Sequence, residues 1–437
     1  MRILYTLLVY LALPWTPLKL WWRGRREPDY RQRIGERYGR YAQPVTRPVL
    51  WLHAVSLGET RAAVPLVDRL LRAYPEATVL ITHMTATGRA AGRGLFGDRV
   101  IQAWLPYDAP FAVSAFLRHF KPRAGLIMET ELWPNLVALA HHAGVPLYLV
   151  NARMSQRSAA RYACAPLLSR PMLEAFSGIA AQTKSDATRL AALGAPRAIV
   201  TGNLKFDATV PEAGAILGSE FRLRFGKDRP TWVAGATREG EETLILDALA
   251  EHSLPPDSLT VIVPRHPQRF AAVAELLRQR TIPFVLRSSN EPVTADTSVV
   301  LGDSMGEMSG YFAAADVVFI GGSLKPLGGH NLIEPIAAGR PTLVGPHMFN
   351  FAEATANALA AGAAVQVADA AALMAEVSAL FNDAPRRLAI HRAALAFHEA
   401  HRGAVERLWT WLAPQLAQAM DGPLPVRGGD ITPSTAG

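Results

Sequence analysis

Seven short polar stretches of this sequence carry residue types able to do chemistry, and each follows an apolar run that reads as a β-strand. The first is His53-Ala-Val-Ser-Leu-Gly-Glu59. A carboxylate such as Glu59, at a helix start beside a cleft, can serve as a general base if it is ionised before it accepts a proton. An unperturbed Glu, with a pKa of about 4.3, is ionised but weakly basic. The helix dipole lowers that value and burial or a nearby acid raises it; the residues themselves leave both outcomes open. Glu59 also reads simply as a first-turn carboxylate complementing its own helix. The second stretch is Met128-Glu129-Thr130-Glu131-Leu132-Trp133-Pro134-Asn135. Its carboxylates at 129 and 131 share a side if the strand continues. They could raise the pKa of Glu59, orient an acceptor, or stay solvated ahead of a proline-started helix. Asn151-Ala-Arg153-Met-Ser155 is third and Gly202-Asn203-Leu-Lys205-Phe-Asp207 fourth, where Lys205 offers a point charge for an anionic group.

Three stretches in the second half suit an anion. In Pro264-Arg265-His266-Pro267 the Arg and His could hold a base or a phosphate. Gly302-Asp303-Ser304-Met305-Gly306-Glu307-Met308 precedes a helix, so Gly306, Glu307 and Met308 present N–H groups. Gly321 to Phe351 begins with clustered glycines after the apolar run 316–320 and continues as a helix from Asn331 to Ala338, stopped by Gly339-Arg340-Pro341. A glycine turn feeding a helix start brings backbone N–H groups and the positive dipole end to a phosphate. Glu334, one turn in, can accept hydrogen bonds from a ribose diol. That is half of a nucleotide-sugar site, though a glycine-rich βα turn with a surface Glu would look the same. Singly, each stretch has such a plain counterpart. Together they stand at strand ends, where an open α/β sheet binds its ligand.

The elements that must position them alternate short apolar runs with amphipathic ones, the signature of α/β structure. The strands expected in the first half are 49–52, 78–82, 101–105, 124–128 and 147–150, with helices at 59–74 and 134–142. A second series has strands at 231–234, 260–263, 298–301, 316–320 and 342–344 and helices at 241–252, 270–280 and 307–315. At 437 residues, half of them apolar, the chain suggests two domains with ample cores. The expected division is a segment 1–26, a first domain 27–210, a second domain 211–420 and a disordered tail 421–437 rich in Pro, Gly, Ser and Thr. Residues 211–218 read as the connector, and the helical end of 377–420 as packing back onto the first domain.

A net charge of +8 favours an anionic partner. Aromatics are not interleaved with Lys/Arg runs and no zinc-finger or RNP-like pattern occurs, which argues against nucleic acid. The single cysteine, Cys164, excludes an intramolecular disulfide and fits a reduced compartment. No HExxH or DxD motif asks for a divalent ion, so neither a metal nor a cofactor is expected. Residues 3–22 are apolar but carry Pro14, Pro17 and Lys19, which makes a full span marginal. A helix seated in the membrane interface, with Trp15, Trp21 and Trp22 at headgroup level and Arg23, Arg25 and Arg26 facing anionic lipid, fits best. Charges after the segment would keep the remainder cytoplasmic, attached to the inner face of a membrane by a span or by an interfacial anchor.

In this order, HAVSLGE, METELWPN, NARMS, TGNLKFD, PRHPQRF, GDSMGEM, GGHNLIEP and GPHMFNF resemble the 3-deoxy-D-manno-octulosonic acid (Kdo) transferases of lipopolysaccharide inner-core synthesis. The resemblance runs from the N-terminal segment to about Arg407. It implies a GT-B fold: two Rossmann-like domains facing an interdomain cleft, the acceptor on the first and the donor on the second. It implies CMP-Kdo as donor, a tetraacylated, bisphosphorylated lipid A precursor as acceptor, and inversion at the anomeric carbon. By similarity Glu59 is the general base and Glu131 and Lys205 assist the transition state. Arg265, His266, Gly306, Glu307, Met308, Asn331, Leu332, Ile333 and Glu334 carry over as CMP contacts. Two rivals are another GT-B enzyme using a UDP-sugar and a non-catalytic membrane-surface protein with a vestigial nucleotide site; intact carboxylates at 59, 129 and 131 count against the latter.

Overall fold

The computed structural model describes the whole chain except Arg26, Arg197, 208–211, Ser253 and 423–437, with the backbone alone at Glu212 and Ala213. It divides into two compact units, Met1–Ala208 with the C-terminal segment from Arg402, and Thr209–His401. Each is built on a seven-stranded, wholly parallel sheet.

In the first unit the strands are β1 (Val49–His53), β2 (Thr78–His83), β3 (Ile101–Trp104), β4 (Pro122–Met128), β5 (Leu147–Ala152), β6 (Gly178–Ala181) and β7 (Ile199–Val200), in the order 3-2-1-4-5-6-7. A parallel sheet is covered by helices on both faces, so its strands are apolar on both sides. One face packs Trp51, Phe116, Ile127 and Leu149 together, and the other Leu50, Leu52, Leu126 and Val150. Helix Ala404–Asp421 completes the second face with the stripe Val405, Leu408, Leu412 and Leu416. The second unit therefore ends at His401, and the chain returns to the first unit for its last described helix.

The second unit holds β8 (Thr231–Thr237), β9 (Leu259–Pro264), β10 (Phe284–Leu286), β11 (Val299–Leu301), β12 (Val317–Ile320), β13 (Thr342–Val344) and β14 (Ala364–Gln366), in the order 10-11-9-8-12-13-14. One detail is shared by the two sheets. A tryptophan on the first strand is fully buried and gives its indole N–H to a threonine on the second. These pairs are Trp51 to Thr82 at 2.8 Å and Trp232 to Thr260 at 2.9 Å. The bond removes the cost of burying an unpaired N–H, while burying a side chain of this size contributes about 3 kcal/mol.

Three expectations need correcting. The helix at 59–74 is two helices, Leu57–Ala62 and Val64–Ala73, because Pro65 in the first turn of the second has no N–H to continue the first. The stretch 211–218 is no connector from residue 212 onward: helix Glu212–Phe225 runs through it, and Pro211 lies outside the described residues. The helix at 331–338 is shorter, Ile333–Ala337. The N-terminal apolar segment is helical over Arg2–Ala12 and Thr16–Arg23, joined by a 3-10 turn at Leu13–Trp15. Arg26 and the tail from 423 lie outside the described residues.

Candidate active site

The strand order of the first unit reverses between β1 and β4, and the exits of these strands diverge there, which is where a doubly wound sheet opens to a ligand. From β1 the chain passes through Ser56 into helix Leu57–Ala62. Ser56 Oγ accepts from the Glu59 N–H at 3.4 Å and donates to Glu59 Oε1 at 2.8 Å, a reciprocal cap. Glu59 Oε2 accepts from the Val55 N–H at 2.9 Å. Glu59 thus complements its own helix, yet it is also buried. Burial first and the neighbouring Glu129 second push its pKa up to about 8, against the lowering effect of the Val55 N–H and Ser56; Glu131 adds to the rise. Burial and like charge outweigh the hydrogen bonds here.

β4 is followed directly by Glu129, whose φ of 56° is left-handed and unfavourable for a non-glycine residue by about 1–2 kcal/mol. Its N–H bonds Val150 O at 3.1 Å, and its Oε1 accepts from Lys205 Nζ at 2.8 Å, with both side chains largely buried. Glu131 accepts from the Trp133 indole N–H at 3.1 Å; burial first and Glu129 after it raise its pKa, against the lowering effect of that hydrogen bond. Lys205 is fixed from both sides. Asn151 Oδ1, at the end of β5 with φ 50°, accepts from Leu204 N at 3.0 Å. The Asp207 carboxylate accepts from Gly403 N at 2.6 Å and Val405 N at 2.5 Å, which caps the C-terminal helix. Glu59, Glu129, Glu131 and Lys205 are thereby collected at one sheet edge. A carboxyl with a pKa pushed up to about 8, beside a lysine and a second buried carboxyl, can take a proton from a hydroxyl and support charge developing nearby.

In the second unit the order reverses between β8 and β12. Gly321, leaving β12, approaches β8 so closely that an added Cβ would lie 2.6 Å from Ala236 O and Thr237 Cα, and only glycine fits. Glu241, wholly buried at the start of helix Glu241–Glu251, accepts from Arg238 N at 2.9 Å, Gly322 N at 2.6 Å and Leu324 N at 3.0 Å. It pins the two strand exits to each other. Glu242 beside it accepts from Thr237 Oγ1 at 3.0 Å and Arg269 at 3.0 Å.

On this frame Arg238, Arg265, His266 and His330 form a cationic cluster. Burial, then Arg265 and Arg238, push the pKa of His330 down to about 3, and burial with the same arginines lowers that of His266. His330 is therefore neutral, and its Nε2 is buried without a hydrogen-bond partner among the described residues. Gly306, with φ 88°, precedes helix Met308–Ala314, and the Glu307 carboxylate is held by Arg287 at 2.9 Å and by Ser304. Asn331 Oδ1 accepts from Ile333 N at 3.1 Å and its Nδ2 donates to Glu334 Oε1 at 3.1 Å. Leu332 and Ile333 are buried, so their side chains serve the core, and the Ile333 N–H is already used by Asn331. Within this quartet the groups able to face a ligand are Asn331 and the Glu334 carboxylate that it orients.

Sequence reasoning selected Arg265 and His266 but missed Arg238, Glu241 and His330. Arg238 and Glu241 follow β8 as the first polar stretch follows β1, a positional signal that was present; His330 directly precedes Asn331 and carried none of its own.

A family profile described as 3-deoxy-D-manno-octulosonic-acid transferase (kdotransferase) matches residues 32–208. A 3-deoxy-D-manno-octulosonic acid transferase of Bordetella pertussis is 44% identical over 426 residues, covering 93% of this chain and 97% of that protein. The chain belongs to the Kdo transferase family. A second Kdo transferase, from Haemophilus influenzae, is 37% identical over 95% of this chain and 99% of its own length. Membership makes the chain a glycosyltransferase. The crystal structure of UDP-GlcNAc 2-epimerase from Neisseria meningitidis bound to UDP-GlcNAc superposes with a TM-score of 0.57 at 17% identity, covering 83% of this chain and 100% of that one. That likeness concerns the fold alone, two Rossmann-like units of GT-B type.

Proposed function

We propose that this Kdo transferase moves Kdo from CMP-Kdo onto a tetraacylated, bisphosphorylated lipid A precursor, with inversion and with Glu59 as general base. The observation that carries the proposal is the buried Glu59 carboxyl, its pKa raised by burial and by Glu129, at the strand reversal of a unit matching the family profile. In the reaction a hydroxyl oxygen of the acceptor attacks the anomeric carbon of Kdo as its proton passes to Glu59. The bond from that carbon to the phosphate oxygen breaks, and the electron pair leaves on CMP. Lys205, held by Glu129, and the buried Glu131 support the charge that shifts during attack.

On the donor side Arg238 and Arg265 match the leaving phosphate, and neutral His330 can donate or accept a hydrogen bond from its unpartnered Nε2. Gly306, Glu307 and Met308 would offer backbone N–H groups, and Glu334 would accept from the ribose diol. A cationic lining takes up phosphate charge without a divalent ion, so added EDTA should leave the rate unchanged.

The acceptor's acyl chains keep it in a bilayer, and the enzyme must reach it there. Helix Arg2–Arg23, 22 residues, is apolar enough to cross a membrane. Two of its hydroxyls turn toward the body of the first unit: Thr6 Oγ1 donates to Asn135 Oδ1 at 2.9 Å and Thr16 bonds Tyr38 at 2.6 Å. Ile3, Leu7, Leu11, Trp15, Leu18 and Trp22 form an exposed stripe at helical spacing, with Arg25 stacked over Trp21 at 4.0 Å. Such a helix is suited to lie in the interface of an anionic leaflet, here the cytoplasmic face of the inner membrane.

The test is incubation with CMP-Kdo and the tetraacyl disaccharide bisphosphate, with products weighed by mass spectrometry. Addition of one or more Kdo masses is expected. Transfer from a UDP-sugar, or CMP binding with no product, would replace this reading with the UDP-sugar or the non-catalytic alternative respectively.

A further inference from the structure

The N-terminal helix is bonded to the segment that carries Glu131. Asp108, buried in the turn after β3, sends its carboxylate to the first turn of helix Pro134–His142. Oδ2 accepts from Asn135 N at 3.0 Å and Oδ1 from Leu136 N at 2.7 Å. That helix has no capping side chain of its own, so Asp108 is its cap, supplied from a distant part of the chain. Asp108 O also accepts from Asn135 Nδ2 at 2.8 Å, and Asn135 is itself buried. The same two residues meet the apolar N-terminal helix: Thr6 Oγ1 donates to Asn135 Oδ1 at 2.9 Å, and the Tyr5 hydroxyl lies beside the Asp108 carboxylate. Tyr10 stacks on Phe111, three residues beyond Asp108, with ring centroids 6.2 Å apart. Immediately before the capped helix stand Trp133 and Glu131, joined through the indole N–H. Tyr162 lies within electrostatic reach of both Glu131 and Tyr5.

We infer that Asp108 is a positioning residue which couples the seat of the N-terminal helix, through Thr6 on Asn135 and Tyr5 beside its own carboxylate, to the orientation of Trp133 and the Glu131 carboxylate. The helix is then part of the acceptor site as well as an attachment to the membrane. Its removal loosens the cap, the first turn of helix Pro134–His142 frays, and Glu131 loses its fixed place. The inference rests on the proposed role of Glu131 and adds residues to which neither the resemblance nor the family membership gives a part.

The test separates anchoring from positioning by using a water-soluble acceptor, the deacylated disaccharide bisphosphate, with full-length enzyme in detergent. Attachment to a bilayer cannot then affect the rate. Asp108→Asn should lower kcat about tenfold with CMP affinity unchanged. In a Glu131→Gln background the same change should cost less than twofold, because residues acting as one unit are not additive. Tyr5→Phe keeps both N–H bonds of Asp108 and covers the case in which Asp108→Asn fails to fold; about a threefold loss is expected, again absent with Glu131→Gln. An unchanged kcat, or equal losses in both backgrounds, overturns the inference. A readout independent of turnover uses 5-fluorotryptophan-labelled protein, with the Trp133 resonance assigned from Trp133→Phe. Tyr5→Phe should shift that resonance, and a fixed resonance overturns the coupling even if the wild-type protein proves to transfer no Kdo. Absence of transfer with a shifted resonance would instead remove the proposed function and leave the coupling standing.

Discussion

Glu59 and Glu241 occupy comparable places: each follows the first strand of its sheet and opens the next helix, beside the point where strand order reverses. Both are buried, and burial raises the pKa of both. They differ in what they hold. Glu241 accepts three backbone N–H groups from two strand exits and, wholly buried, presents no face to a substrate. Glu59 accepts from one backbone N–H and one hydroxyl of its own turn and faces Glu129 and Glu131. One scaffold therefore makes a staple in one unit and, in the other, the carboxyl proposed as the proton acceptor. The surroundings follow suit, carboxylates at the first reversal and arginines with histidines at the second. The fold decides where a site is, and a few side chains decide its charge.

The comparison is broken most decisively by substituting the two glutamates in turn. Glu59→Gln keeps the shape and should lower kcat by about 10²–10⁴-fold, the usual contribution of a general base, with CMP affinity within twofold of wild type. Glu241→Ala strands three buried N–H groups and should destabilise the protein by about 3 kcal/mol or more, read from urea unfolding, with loss of CMP binding. A stable Glu241→Ala protein that still binds CMP would mean that the two residues are not distinguished as described.

The next effect is on pH dependence. As the proposed base Glu59 would work only when ionised, and its pKa is moved from the ordinary 4.5 up to about 8. Below pH 8, kcat/KM should rise about tenfold per unit and level off above it, so pH 6 should lie about a hundredfold under the plateau. A limb near pH 4 to 5, as an exposed Glu would give, contradicts the burial argument. Smallest is Arg238→Ala, which should raise KM for the donor about tenfold through loss of one charge-assisted phosphate contact, with a lesser effect on kcat. An unchanged KM would remove Arg238 from the cationic cluster that sets the second unit against the first.

Much of this arrangement is legible in the residues. The apolar runs at 49–52, 124–128 and 317–320 are strands because both faces of a parallel sheet are buried, and polar residues directly after such runs must sit at the strand ends. Short strands such as Ile199–Val200 and Ala364–Gln366 escape because a few residues carry no period. Glycine stretches promised rows of free N–H groups, but Asn331 already takes the Ile333 N–H, which depends on a rotamer and not on spacing. The raised pKa of Glu59 was undecidable for a similar reason: the helix dipole is local, whereas burial and Glu129 arrive from elsewhere in the chain. Tyr5 with Asp108, and Asp207 with Gly403, are pairs far apart in sequence that neither propensity nor motif connects.

Asp207 grips the start of the last helix, and that helix belongs with the first 208 residues although the ribosome makes it after Thr209–His401. At a translation rate of roughly 5–20 residues per second, the first unit waits some tens of seconds for its closing piece. Lys205, on the loop that Asp207 fastens, is among the last groups to be locked home. On the proposed membrane seat, a nascent chain would reach the bilayer by its leading helix well before that set of charges is complete.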